Sequence, residues 1–414
     1  MAVAASTTVV LMIGSDANAT AHEVKAGVAY EPFVLPAHVP LAGYSKRHGR
    51  PSSGVRDPVG VRALVVSDGE TTAALVSADL LIVDEQLAAA VRARLTAEGV
   101  PAAFGVMLAA THTHSGPGAY GHRFLEKLSM GHFDPAVFDA IVEAVVRAVL
   151  RARATLAPVR VSVQRAATSG LVENRVDPGG LADAEVTVVT GFHPGERTPF
   201  LILVNFSAHP TTLGAWNRAL SADYPGVVVR ELERRIPGVV AMFVVGSVGD
   251  QAPVKSGDRD ERAERVGHPL AEQVVALLAT ARPEAPEGVR AMQTLMPLPP
   301  ARLRLGRVLL PSWLGRPLVD DDATLSLLQV GRIIFFGVPC DLTAGLGAEL
   351  KDAARARGLE PVVVGFADDY IGYCVPAALY AAKQYESAMA FNGPNTGELV
   401  VAELKRLLSE LVME

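Results

Sequence analysis

Apolar residues along this 414-residue chain follow two patterns that alternate. Short apolar runs rich in β-branched residues predict strands: "GVRALVVSDG", "TTAALVSADLLIV", "AAFGVMLAATHTH", "VRVSVQRAAT", "AEVTVVTGFH", "PFLILVNFSAH" and "VAMFVVGS". Between them lie segments with apolar residues at helical spacing. "EQLAAAVRARLTAEGV" predicts an amphipathic helix closed by a glycine, "PAVFDAIVEAVVRAVLRARATL" a long helix opened by a proline after Asp134, and "YPGVVVRELERRI" a third. Asp68-Gly69 predicts the hairpin turn between the first two strands. A final αβ portion runs through "RIIFFGVPCDL", "GLGAELKDAARARG", "PVVVGFADDY" and "GELVVAELKRLLSELV". The Pro- and Arg-rich stretch 281–320 interrupts this rhythm and reads as a linker, a lid or an edge hairpin. The fold class is α/β, with mixed β-sheets flanked by helices and polar residues gathered at the C-terminal ends of strands.

Composition narrows the picture. With 50% hydrophobic and 20% charged residues, the chain has material for one large or two medium cores, which excludes a disordered protein. A net charge of −6 excludes a basic nucleic-acid-binding surface and a polybasic membrane anchor. Beyond the N-terminus no run of 18 uninterrupted apolar residues occurs, so no membrane span is expected. At the N-terminus, "TTVVLMIGSDANA" ends in Ala17-Asn18-Ala19, which resembles a signal-peptidase site, but no Lys or Arg precedes it and Asp16 interrupts it. Residues 1–22 are therefore read as an N-terminal extension of a cytoplasmic protein, with secretion the alternative if residues 1–19 are cleaved. The two cysteines, Cys340 and Cys374, define no disulfide framework, and a single bridge between them stays open. Homo-oligomerisation is left open as well.

Candidate chemistry collects at strand ends. "LAATHTHSGPGAY" places His112 and His114 two apart after an apolar run. On a continuing strand they project to one face roughly 6 to 7 Å apart, within reach of a single metal ion. Backbone-bonded polar residues at a strand end are the competing reading. His209 ends "FLILVNFSAH" in the same way, and a third imidazole favours a metal, because catalytic zinc sites use three protein ligands and keep one position for water. Asp223, Asp250 and Asp341 also follow apolar strands, although aspartate before a helix is commonly an N-cap.

Four motifs, "THTHSGPG", "NFSAHPTTLG", "VGDQAP" and "GYCVPAALYAAKQYE", occur in the order found in the neutral or alkaline zinc-dependent ceramidases and their shorter bacterial relatives. The chain resembles that family's catalytic domain from about Gly27 to Glu386, so residues 23–414 are expected to form that domain, without the family's C-terminal immunoglobulin-like domain. The resemblance implies a Zn²⁺ site with His112, His209, Asp341 and Tyr373 as ligands, and His114 beside the metal facing substrate. Asp341 stands where the family has a glutamate one methylene longer. Arg175 in "VENRVD" and Tyr385 in "KQYES" match the family's substrate-contacting arginine and tyrosine. Ala252 occupies the position of the family's catalytic serine, and a methyl group is no nucleophile.

The chemistry so implied is hydrolysis of an amide in an N-acyl compound by zinc-activated water, with Tyr385 or Arg175 stabilising the oxyanion. His114 or Asp250 then passes a proton to the leaving amine. The expected partner is a small-molecule or lipid N-acyl substrate, in keeping with a role in lipid metabolism. Three alternatives stay open. One is an ester or phosphoester hydrolase with two metals bridged by carboxylates from Asp79, Asp223 and Asp250. The others are an acyl-transfer enzyme of a biosynthetic pathway and a catalytically inactive lipid- or acyl-binding relative. Cys340 adds a variant of the metal site, since its thiolate would compete with Asp341 for zinc, against a reading of both cysteines as small buried hydrophobes.

Overall fold

Three β-sheets carry the apolar runs of the chain in the computed structural model, which describes residues 11–13, 23–305, 308–315, 318–382 and 384–413. The first sheet orders Gly105–Ala110, Thr72–Ala78, Gly60–Ser67, Lys25–Pro32 and Ala157–Pro158. The second orders Val240–Val245, Leu201–Phe206, Glu185–Phe192 and Arg160–Ala167. The third orders Leu11–Ile13, Val289–Pro297, Asp322–Val330, Ile333–Val338 and Glu360–Gly365. Each sheet holds one parallel pair at an edge, and its other pairings are antiparallel. The mixed α/β class expected from the alternating patterns is the one observed.

The near-continuous apolar runs have a direct cause. Strands such as Gly60–Ser67 and Leu201–Phe206 are buried at every position, because the sheets pack on one another on one side and against helices on the other. Leu75, Met107, Leu203, Val244, Phe335 and Val364 belong to one apolar cluster that draws on all three sheets. Asn205 pins two of them together by donating its amide to the carbonyls of Val244 (3.0 Å) and Val363 (2.8 Å). Helices Glu85–Ala97 and Pro135–Ala154 belong with the first sheet, Asp223–Arg235 and Arg262–Leu278 with the second, and Ala344–Arg355 and Thr396–Met413 with the third. Two of these helices start as their sequences direct: Asp84 and Asp134 cap them by accepting from Leu87 N and Ala136 N, and Pro135 fills the first turn.

Two elements depart from the sequence reading. Within 281–320, Val289–Pro297 is a nine-residue strand lying between Leu11–Ile13 and Asp322–Val330 in the interior of the third sheet, and a short antiparallel pair, Arg304–Leu305 with Val308–Leu309, follows it. Prolines on both sides of Val289–Pro297, at 283, 286, 299 and 300, hide its pattern. Helix Arg262–Leu278 was not expected at all; Pro269 lies inside it and disguises its spacing. The candidate leader over 1–22 lies outside the described residues except for Leu11–Ile13. No described helix is long and apolar enough to cross a membrane.

Cys340 and Cys374 form a disulfide with a Cα–Cα distance of 5.9 Å. It staples the short parallel ladder of Asp341–Leu342 and Tyr373–Cys374, in which Asp341 pairs with Tyr373. Closing a loop over a sequence separation of 34 residues corresponds to about 3–4 kcal/mol of stability in the chain-entropy model. The double variant Cys340→Ser/Cys374→Ser is expected to lose that amount in urea denaturation. An unchanged midpoint would contradict the bond.

Candidate metal centre and active site

The parallel pairs of the three sheets end near one another, and the loops that follow them carry the site. Strand Gly105–Ala110 stops before the histidines, so His112 and His114 are presented by a loop and not by strand alternation. His112 takes a left-handed backbone conformation (φ 59°), uncommon for a residue with a Cβ and characteristic of strained functional positions. The turn brings the rings together: His112 Nε2 lies 2.8 Å from His209 Nε2, and His114 Nε2 lies 3.2 and 3.1 Å from those two atoms.

The opposite nitrogen of each ring is tied to the backbone. His112 Nδ1 donates to Leu81 O (2.6 Å), His114 Nδ1 to Gly43 O (3.1 Å) and His209 Nδ1 to Val248 O (3.3 Å). Those bonds fix the tautomer, so three Nε2 lone pairs face one point, the usual arrangement around a metal-ligating imidazole. Burial pushes His112 down to about 3 and the other two well below the ordinary histidine range, so protonation does not relieve this convergence at neutral pH. Tetrahedral zinc with Zn–N bonds of about 2.0–2.1 Å spaces its ligand nitrogens by roughly 3.3 Å, within about half an ångström of all three separations. Phe366, also left-handed at φ 56°, stacks on His112 with ring centroids 3.7 Å apart. Gly43 is required by His114, because a Cβ there would lie 2.7 Å from the His114 Cα.

Asp341 closes the cluster on the side of the third sheet. Its Oδ1 is buried, has no hydrogen-bond partner among the described residues, and lies 3.7 Å from His112 Nε2 and 3.9 Å from His209 Nδ1. Its Oδ2 accepts from the Tyr370 hydroxyl at 2.9 Å. Burial raises the carboxyl to about 7 against the opposing pull of Arg175. An unpaired buried oxygen is costly, and a cation among the three imidazoles would satisfy it. The donor set therefore fits a metal ion. Among the described residues, His112, His114 and His209 form the one group of three or more such side chains close enough to hold an ion.

Arg175 spans the next layer. Its Nη2 donates to the Tyr373 hydroxyl (2.8 Å) and Gly249 O (2.9 Å), its Nε donates to Glu386 Oε1 (3.1 Å), and its Nη1 lies 3.4 Å from His209 Nδ1. Gly249 sits so close that a Cβ would be 2.5 Å from Asp341 O, which is why "VGDQ" needs its glycine. The Tyr385 ring meets Tyr373 edge-on at 5.8 Å. His112, His114, Asp341, Tyr373 and Tyr385 line one cleft. Leu81, Ile82, Met130, Ile371 and Phe391 give it apolar walls, and residues 318–320 add a further wall from the stretch read as a lid or linker.

Other candidates turn to the scaffold. Asp250 Oδ1 accepts from Ala344 N (2.8 Å) and Gln251 Nε2 (2.9 Å), and its Oδ2 accepts from Asn174 Nδ2 (3.0 Å). Both oxygens are filled, so Asp250 braces the segment carrying Arg175 and is not placed as a proton carrier. Asp79 accepts from Gly60 N, and Asp223 from Thr212, Leu213 and Tyr224 backbone amides, so the two-metal arrangement has its carboxylates engaged elsewhere. Ala252 lies on the short strand Gln251–Pro253 opposite Glu173. Ser247, fully buried, packs against Gly347 and offers no substitute hydroxyl. The disulfide removes the Cys340 thiolate from the candidate ligands, since a bridged sulfur carries no thiolate charge.

Four residues of the site escaped the sequence reading. Arg47, buried at 6% exposure, donates to Ala42 O, His114 O, Gly214 O and Asn217 O and so fastens the histidine loop. Tyr370, Glu386 and Tyr44, whose ring lies 4.9 Å from that of His114, are the others. None carries a spacing signal, although Tyr370 and Glu386 lie within or beside the "GYCVPAALYAAKQYE" motif.

Residues 35–268, more than half of the chain, match the family model described as neutral/alkaline non-lysosomal ceramidase, N-terminal. The chain belongs to that family. The resemblance carried by the four motifs is thereby borne out, and membership makes the chain a hydrolase of C–N amide bonds. It is 25% identical to the neutral ceramidase of Pseudomonas aeruginosa over 454 aligned positions, covering 87% of this chain and 68% of that protein. It is 27% identical to the neutral ceramidase of Mycobacterium tuberculosis over 245 positions, covering 52% and 38%. The fold is similar to the crystal structure of the Pseudomonas aeruginosa neutral ceramidase, with a TM-score of 0.82 at 22% identity over 93% of this chain and 74% of that one. His112, His114, Arg175, His209 and Ala252 fall inside the span matched to the ceramidase family model. Asp341, Tyr370, Tyr373, Tyr385 and Glu386 lie beyond it and join it in space.

Proposed function

We propose that this ceramidase-family chain is a zinc-dependent amidase that hydrolyses the N-acyl bond of ceramide-type lipids. The observation that carries the reading is the convergence of three neutral imidazole Nε2 atoms beside the unpaired Asp341 oxygen. His112, His114 and His209 would hold the metal, with Asp341 the oxygen ligand and Tyr373 beside it. Zinc, when bound, supplies a Lewis acid that lowers the pKa of water toward about 7 and polarises the acyl oxygen.

The chain's own residues do the rest. Arg175 stays charged, and its fork, fixed by Glu386, Gly249 and Tyr373, presents a cation at the wall of the histidine cluster. Tyr385 is a donor at neutral pH, as any tyrosine hydroxyl titrating near 10 is. Both suit an acyl oxygen that gains negative charge as the amide is attacked. With a methyl at Ala252 and the Ser247 side chain packed against Gly347, neither position supplies an acyl-enzyme nucleophile, and in this reading the oxygen delivered to the acyl carbon comes from water. The apolar walls from Leu81 to Phe391 receive the hydrocarbon of the substrate.

The name of a second solved relative, a ceramidase complexed with C2, supplies a probe. Purified chain incubated with short-chain and long-chain ceramides is expected to release fatty acid and the free amine. Activity should vanish on chelation and return on adding Zn²⁺. Turnover that persists in chelator would refute the metal, and absence of turnover on every N-acyl substrate would refute the amidase.

A further inference from the structure

We infer that Glu386 is a positioning residue for this reaction, holding Arg175 and Tyr385 in register with the histidine cluster; the inference rests on the amidase reading above. Glu386 is 6% exposed and lies on the four-residue helix Tyr385–Ala388, next to the tyrosine that lines the cleft. Its Oε1 accepts from Arg175 Nε at 3.1 Å, a contact spanning 211 residues of sequence. Among the described residues, Arg175 is its ion-pair partner.

The guanidinium is planar, so fixing Nε also fixes the directions in which the two terminal nitrogens point. With Nε on Glu386, one terminal nitrogen reaches the Tyr373 hydroxyl and Gly249 O, and the other comes to 3.4 Å from His209 Nδ1. The same pair acts on its other end. One turn of helix has no stability of its own. Tyr385–Ala388 is tied down locally by Ser387 Oγ donating to Leu379 O (2.8 Å) and by Tyr373 N donating to Met389 O (3.0 Å). The Glu386–Arg175 pair connects this turn directly to the segment after Val172–Asn174, beside the indirect path through Tyr373, whose hydroxyl accepts from Arg175. A buried ion pair is a poor source of net stability compared with apolar packing. Its usefulness here is orientation: one carboxylate ties the turn that carries Tyr385, which lines the cleft, to Arg175, which holds Tyr373 at the cleft wall.

The test uses full-length chain and C2-ceramide, with Glu386→Ala, Glu386→Gln, Tyr385→Phe and the Glu386→Ala/Tyr385→Phe double variant. Glu386→Ala is expected to lower kcat by about 30-fold or more while KM changes less than about threefold and zinc content stays at the wild-type level. Glu386→Gln, which keeps the acceptor but loses the charge, should fall between Glu386→Ala and wild type, with kcat about fivefold to tenfold below wild type. The double variant should be no slower than Glu386→Ala by more than about twofold, because the two changes disable one unit. Wild-type kcat in Glu386→Ala, or independent effects in the double variant, would overturn the inference. Hydrogen exchange supplies a readout separate from activity: amides 385–389 should lose protection in Glu386→Ala and keep it in Tyr385→Phe. If wild type cleaves no ceramide the amidase reading fails, and this exchange result alone decides, with unchanged protection in Glu386→Ala overturning the positioning role. If Glu386→Ala does not fold, Glu386→Gln decides, since a kcat lowered at constant KM and zinc content supports the role and an unchanged kcat overturns it.

Discussion

His209→Ala is expected to abolish zinc binding and to lower kcat/KM on ceramide by about a thousandfold or more, a loss of about 4 kcal/mol in transition-state stabilisation. Three imidazoles converge within 3.2 Å of one another, and removing one leaves two nitrogens and an aspartate that no longer surround an ion. Thermal unfolding separates this from simple damage. Zinc at a thousand times its dissociation constant adds about 4 kcal/mol to a protein that binds it only when folded, so wild type should melt markedly higher with metal than without. In His209→Ala that difference should disappear, while the metal-free forms melt at similar temperatures. Equal zinc-induced stabilisation of wild type and variant would show that His209 is not a ligand.

The second large effect is expected at Arg175. Arg175→Ala removes the donor to Tyr373, Gly249 and Glu386 at once and leaves the Glu386 carboxylate buried without its cation. Stranding one partner of such a pair costs about 3 kcal/mol, toward the low end because Arg175 keeps a side-chain exposure of 24%. Loss of a preorganised donor at the reacting acyl group should lower kcat by about 10²–10³. Arg175→Lys restores the charge but not the fork, so it should recover stability more than rate. Urea denaturation and steady-state kinetics on the same preparations separate the two effects. A lysine variant with wild-type kcat would show that charge alone is what the site uses.

The strands of this protein were legible because they are buried on both faces, which makes Val240–Val245 an unbroken apolar run and Gly60–Ser67 and Leu201–Phe206 nearly so, interrupted at Arg62 and Asn205. Helices with one wet face, such as Pro135–Ala154, were legible for the complementary reason. Where proline intrudes the pattern fades, as at Val289–Pro297 and in Arg262–Leu278 around Pro269. The histidines were found from their place after apolar strands, but the physical ground first offered for pairing them was side-chain alternation. The left-handed turn at His112 does that work instead. Residues that act on backbone carbonyls or through tertiary contacts left no trace in the sequence. Arg47 reaches four carbonyls far apart along the chain, and Glu386 meets a partner 211 residues away. Asp250 illustrates the converse, a carboxylate in a motif whose oxygens turn out to be filled by Ala344, Gln251 and Asn174.

Elemental analysis of the purified chain beside His112→Ala and His209→Ala tests the central claim most directly. The expected result is about one zinc per wild-type chain and a small fraction of that in both variants, in line with a single three-histidine site. Metal-free wild type, or zinc retained at the wild-type level in both variants, would contradict it.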